Sequence, residues 1–134
     1  MKQKSVLTQA EINQIAQASI AEANKHNWAV SIAIVDDGGH LLFFTRLDGA
    51  APVSSIIAPE KAKTAALGVR ESKNYEEMVN GGRFSFLSVS QLTPLEGGVP
   101  IMADGQCIGA VGVSGVKSME DAQIAKAGIA ALVL

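Results

Sequence analysis

The sequence is poor in several residue types that mark particular functional classes. It has one cysteine and two histidines among 134 residues, and aromatic residues make up only 4%. A single cysteine excludes an internal disulfide framework and a cysteine-rich metal site, and the absence of disulfides favours a reducing, cytoplasmic location. The 11 basic and 13 acidic residues form no basic patch, so we expect no nucleic-acid partner.

Long apolar runs are also missing. No run approaches the roughly 18 residues that a membrane-spanning helix needs, and the opening MKQKSVLTQAE lacks the apolar core of a signal peptide. We therefore expect no membrane partner. Hydrophobic residues nevertheless make up 48% of the chain, so the core must consist mainly of alanine, valine, isoleucine and leucine. The length favours one domain, 1–134.

The first part of the chain predicts a helix followed by a β-hairpin. The helix covers 8–26, because Thr8 and Glu11 have the spacing of a capping box. Two strands, 28–36 and 40–46, flank the turn sequence DDGG. Both strands are apolar on both faces, whereas a sheet with one solvated face alternates polar and apolar residues. We therefore expect helices to cover this hairpin on both sides.

Three helical patterns follow the hairpin. The first covers 54–72, with Lys61 on the side opposite an alanine-rich face. A short helix is predicted over 74–80. A terminal helix begins at Ser118, the predicted N-cap, with Asp121 at the capping-box position.

The remaining segments predict three further strands, which make the sheet five-stranded and antiparallel. The sequence FSFLSVSQL within 83–98 indicates one strand, and 97–115 indicates a hairpin that turns at Asp104 and Gly105. The last strand of this hairpin is rich in glycine, so another group must approach its backbone closely. That group is the alanine-rich helix or the terminal helix with its own Gly128, which we favour, or a ligand against the bare backbone.

Few residues could carry chemistry. His26 ends the first helix and His40 opens a strand; each is interpreted most simply as a solvated or capping side chain, although a lone histidine can also be an axial haem ligand. Arg46 and Asp48 lie in the segment FTRLDGAAP, at the exit of the first hairpin. They form either a salt-bridged corner or one wall of a pocket.

Two long segments together carry a family resemblance. VSIAIVDDGGHLLFFTRLDGAAPVSSIIAPEKAKTAA and GGVPIMADGQCIGAVGVSG resemble the GlcG/HbpS-like family, which includes the C-terminal domain of PduO-type corrinoid adenosyltransferases. The resemblance implies an α+β fold of three layers, α/β/α, with a five-stranded antiparallel sheet of profilin-like appearance. It also implies a homo-oligomer, often an octamer.

The resemblance implies a small-molecule-binding protein, with haem or a related tetrapyrrole as cofactor and haem degradation as the associated activity. His40 and His26 are then the candidate axial ligands. The candidate ligand-binding residues are Arg46, Asp48, Lys61 and Ser114. Two alternatives stay open: an accessory protein or enzyme for a small carboxylate metabolite held by Arg46, and a non-enzymatic oligomeric scaffold.

Overall fold

A four-stranded antiparallel sheet with helices on both faces forms the fold in the computed structural model, which describes residues 1–133. The helices and strands, in chain order, are α1 Gln9–Lys25, β1 Ser31–Asp36, β2 Leu41–Arg46, α2 Ser54–Gly68, α3 Lys73–Asn80, β3 Gly98–Ala103, β4 Gln106–Ser114 and α4 Ser118–Ala130. The strands lie in the order β2-β1-β4-β3. The two predicted hairpins are confirmed, and pairing of β1 with β4 joins them.

The two faces of the sheet have different cores. Helices α1 and α4 cover one face, where Ile15 and Ile124 pack with Ile32. Helix α2 covers the other face with small side chains, among which Ala62 packs with Ala33. The predicted three-layer architecture is therefore confirmed.

The glycine-rich strand β4 is close to α2. A methyl group built on Gly112 would collide with the carbonyl oxygen of Ala58 and the amide nitrogen of Ala62. The preferred interpretation, in which the alanine-rich helix occupies this space, is confirmed. Glycine here allows the helix backbone to lie almost directly on the strand.

The prediction of a fifth strand was wrong. Residues Phe84–Ser88 form a short 3₁₀ helix instead, and no residue of 83–97 belongs to a strand. Backbone groups of this segment bond to side chains of α2 and of the residue before α3: the Thr93 N–H donates to Thr64 Oγ1 at 2.8 Å, and the Leu95 carbonyl accepts from Ser72 Oγ at 2.6 Å. These side chains satisfy backbone groups that a strand partner would otherwise bind.

The prediction that both strands of the first hairpin are doubly covered holds for β1 only. Residues 31–35 of β1 are buried, whereas β2 is the edge strand and is largely exposed. Leu41 and Phe44 keep 56% and 37% of their surface exposed. Leu42 and Phe43 pack against the core on the α1 side, so burial within this chain explains only that half of the apolar pattern of β2.

Two predicted helix ends also differ. Helix α2 stops at Gly68, because Val69 adopts a left-handed conformation with φ 53°. Helix α4 has Lys117, not Ser118, as its N-cap, and the Lys117 N–H donates to Glu120 Oε1 at 3.2 Å. Within residues 1–133, no helix is long and apolar enough to span a membrane.

Candidate functional site

The six candidate residues lie at opposite ends of the sheet. His26, Arg46, Asp48, Lys61 and Ser114 lie near the end where β1 begins and where β2 and β4 finish. His40 lies alone at the other end, beside the turn between β1 and β2. A six-residue strand spans about 20 Å, so the two groups are separate sites within one chain.

A row of three residues crosses the sheet at the first of these ends. Ser31 of β1 pairs with Arg46 of β2 on one side and with Ser114 of β4 on the other. Directly opposite residues project from the same face, so all three lie on the α2 side. Ser31 Oγ and Ser54 Oγ of α2 are 2.7 Å apart and buried. The structure thus brings Arg46 and Ser114 into one row, with Ser31 between them.

Lys61 is buried and is not available to a ligand at the surface. Only 3% of its surface is exposed, and its Nζ donates to the Val113 carbonyl and to Asp121 Oδ2, each at 3.0 Å. Contrary to the prediction, Lys61 shares the sheet-facing side of α2 with its alanines, since it lies three residues after Ala58 and one turn before Ala65, both buried.

Asp121 was missed as the partner of Lys61 because its position suggested a helix cap. It is 2% exposed, and its Oδ1 also accepts a hydrogen bond of 3.1 Å from the Val116 N–H. Burial raises the pKa of the Asp121 carboxyl, while Lys61 and the Val116 N–H act in the opposite direction. A lysine among buried alanines at helical spacing is the signal that predicts such a counter-ion.

Of the two alternatives for Arg46 and Asp48, the structure does not contain the salt-bridged corner. No nitrogen of Arg46 lies within 4.0 Å of a carboxylate oxygen among residues 1–133. Asp48 instead lines an open cleft of about 410 Å³. The other lining residues are Asn24, Asn27, Trp28, Ala29 and Leu47. Because this lining contains the anionic Asp48 but not Arg46, it does not favour a carboxylate ligand.

His26 lies close to this cleft but is already engaged. Its ring stacks on Trp28 with centroids 4.3 Å apart. Its Nε2 lies 3.3 Å from Glu22 Oε2 and 3.4 Å from Gln123 Nε2. These neighbours hold the imidazole against the end of α1 and engage one of the two ring nitrogens that can bind metal.

His40 has the opposite arrangement. Its Nδ1 lies 3.1 Å and 3.2 Å from the two carboxylate oxygens of Asp36, and its side chain is 80% exposed. Asp36 Oδ1 also accepts the backbone N–H groups of Gly38 and His40, each at 2.9 Å. The carboxylate therefore organises the turn and orients the ring. Among residues 1–133, no three histidine, cysteine, aspartate or glutamate residues could together hold a metal ion.

Three comparisons identify similar proteins. A family model described as "Haem degrading protein HbpS-like" matches residues 7–130. Protein GlcG of Escherichia coli K12 is 58% identical over 114 residues, 85% of each chain. A double mutant of Streptomyces reticuli HbpS superposes with a TM-score of 0.91 and 31% identity, covering 100% of this chain and 92% of that one. A PduOC–haem complex superposes with a TM-score of 0.87 and 30% identity, covering 96% of each.

Proposed function

Because the chain belongs to the HbpS-like family, we propose that it binds haem or a related tetrapyrrole, with His40 as an axial ligand. The family description names haem degradation, and one similar structure contains haem. For this chain, the observation that carries the proposal is the orientation of the His40 imidazole by Asp36. Histidines that bind metal almost always have their other ring nitrogen held in this way.

The contact with Asp36 leaves one nitrogen of His40 for iron. The Asp36 carboxylate accepts a hydrogen bond from Nδ1–H and so favours the tautomer whose Nε2 lone pair is free. The 80% exposure of the side chain gives a planar ligand room to approach. His26 is less suitable, since its ring stacks on Trp28 and its side chain is 34% exposed, against 80% for His40.

The surroundings of His40 provide an apolar surface and a positive charge. The next residue, Leu41, is 56% exposed, and an apolar macrocycle can cover such a side chain. The Cγ atom of Lys63 would lie 2.9 Å from a methyl group built on Gly39, so the lysine stem packs against the turn. Lys63, rather than the buried Lys61, is therefore the cation that we assign to a haem propionate.

A hemin titration followed by absorbance tests this proposal. We expect the wild-type protein and the matched control His26→Ala to give a saturable Soret band at one haem per chain, and His40→Ala to lose it. Equal saturation of His40→Ala would refute the assignment of His40. Weak, unsaturable binding by the wild-type protein would refute histidine-ligated haem altogether.

Haem degradation is the reaction to test on the complex. It consumes dioxygen and an electron donor, so the complex is incubated in air with ascorbate. We expect the Soret band to fall faster than that of free hemin or of the His40→Ala mixture. If all three fall at the same rate, the protein binds haem without degrading it.

A further inference from the structure

The outer edge of β2 is open for pairing with another strand. β2 is an edge strand of the sheet. Within residues 1–133, its residues 41–46 make no backbone hydrogen bond outside the ladder with β1. The sequence LLFFT contains neither a charge nor a proline before Arg46. Long apolar edges of this kind add strands from other chains unless a protein blocks them.

The opposite edge of the sheet has such a block. Pro100 lies in the middle of β3, and proline provides no N–H for a further strand. The sheet therefore has one open edge and one interrupted edge. Pairing between two identical open edges closes at two copies, whereas pairing of different edges could continue into a fibre.

The side chains on β2 favour a second copy of this chain as the partner. Leu41 and Phe44 pair with Val35 and Ala33, which pack under α2, so all four project from the α2 face. Helix α2 nevertheless leaves Leu41 and Phe44 exposed. We propose that β2 pairs antiparallel with β2 of a second copy, with the two Phe44 side chains opposite each other across a two-fold axis. This register keeps like faces together and forms a cross-strand aromatic pair.

Charges at the two ends of β2 fit the same arrangement. Arg46 has no carboxylate within 4.0 Å among residues 1–133, and Asp36 and Asp37 lie beyond the other end of the strand. Antiparallel pairing brings Arg46 of each copy towards the Asp36–His40 end of the other copy. Arg46 and His40 are too far apart to meet within one chain. In the pair of strands, Arg46 of one copy and His40 of the other lie at the same end of the interface. The pairing itself does not depend on haem.

Sedimentation equilibrium without hemin tests the pairing. We expect the wild-type protein at tens of micromolar to have a mass of two chains of 13.9 kDa, or a multiple of two. Phe44→Asp puts like charges face to face, so its mass should be half of the wild-type mass or less. The matched control is Met102→Asp on β3, because Met102 is 38% exposed and Phe44 is 37% exposed; this variant should keep the wild-type mass. A monomeric wild type, or a Phe44→Asp variant of unchanged mass, overturns the proposal.

A crosslinking experiment keeps the proposal testable if Phe44→Asp does not fold. Phe44→Cys puts two thiols across the two-fold axis, where directly opposite strand residues are close enough for a disulfide. We expect mild oxidation to give a covalent dimer of this variant but not of Met102→Cys. Cys107 is buried and gives no background. Equal crosslinking of both variants, or of neither, contradicts pairing through β2.

Discussion

The ammonium group of Lys61 on α2 lies 3.0 Å from the carboxylate of Asp121 on α4, and both side chains are buried. These helices cover opposite faces of the sheet, so the ion pair connects the two outer layers at the place where β3 begins and β4 ends. The remaining bonds of both groups go to backbone: Lys61 to the Val113 carbonyl and Asp121 to the Val116 N–H. A buried pair is tolerated when its other hydrogen bonds are satisfied in this way.

Breaking this pair by removing one partner should destabilise the protein strongly. Lys61→Met leaves the buried Asp121 carboxyl without its counter-ion, and we expect a loss of about 3–5 kcal/mol in the free energy of unfolding. The double variant Lys61→Met/Asp121→Leu should recover most of that loss, because no unpaired charge remains. Urea denaturation measures the free energy of unfolding of the wild type and of both variants.

The control for this cycle is an exposed ion pair. Lys4 lies 2.9 Å from Asp37, and the two side chains are 39% and 50% exposed, so Lys4→Met should cost less than about 1 kcal/mol. If Lys61→Met costs no more than Lys4→Met, the buried pair does not stabilise the fold as we describe.

The pH dependence of stability should show the burial of Asp121. Its pKa is raised in the folded state, chiefly by burial, so between the unfolded and folded pKa values the folded protein binds more protons than the unfolded chain. The contribution of this group is therefore fully present below its ordinary pKa, about 3.9, and is lost as the pH rises through the folded pKa. The wild-type free energy of unfolding minus that of Asp121→Asn should fall over this window. A difference that rises with pH contradicts the direction of the shift.

Gly97 leaves the space that the Lys61 side chain occupies. A methyl group there would lie 2.6 Å from the Val113 oxygen and 2.8 Å from Lys61 Nζ, and the residue has φ 135°. Gly105 is the control, because it has φ 74° and no atom within 4 Å of the added methyl group. Gly105→Ala should show the cost of the backbone conformation alone, roughly 1–2 kcal/mol. Gly97→Ala should cost about 1–3 kcal/mol more, because the methyl group overpacks against Val113 and Lys61 and because φ 135° lies outside the left-handed region open to alanine; equal costs in urea denaturation would contradict both effects.

Gly38→Ala should weaken haem binding without changing the fold or its stability. A methyl group on Gly38 would lie 2.8 Å from Cε1 and 2.9 Å from Nδ1 of His40, so Gly38→Ala must displace the ring from Asp36. Loss of such an orienting contact typically weakens metal affinity about 10- to 100-fold. We expect this weakening in the hemin titration, with an unchanged circular dichroism spectrum and melting temperature. Unchanged affinity would mean that Asp36 does not position the ligand.

Local sequence signals predicted the local structure. The capping box of Thr8 and Glu11 begins α1, and the Asp104-Gly105 turn joins β3 to β4. In each case neighbouring residues make the deciding contacts. The prediction for FSFLSVSQL was wrong because its alternating pattern favours a strand. In the structure, side chains of α2 and of the residue before α3 bind the backbone of the residues that follow it.

The arrangement of the candidate sites depends on contacts between distant segments. Lys61 and Asp121 are 60 residues apart, and nothing local to either one identifies its partner. The row of Arg46, Ser31 and Ser114 exists only because β1 pairs with β4 as well as with β2. Sequence reasoning therefore named Arg46 and Ser114, but only the sheet register shows that they lie in one row across Ser31 and that His40 lies at the other end of the sheet.

Pulsed EPR of the ferric haem complex, prepared with ¹⁵N-labelled histidine, tests the central claim most directly. If His40 binds the iron, a ¹⁵N hyperfine coupling from an axial imidazole appears in the wild-type protein and in His26→Ala and is absent from His40→Ala. A coupling that persists in His40→Ala and disappears in His26→Ala would contradict the assignment. So would a wild-type complex without any ¹⁵N coupling.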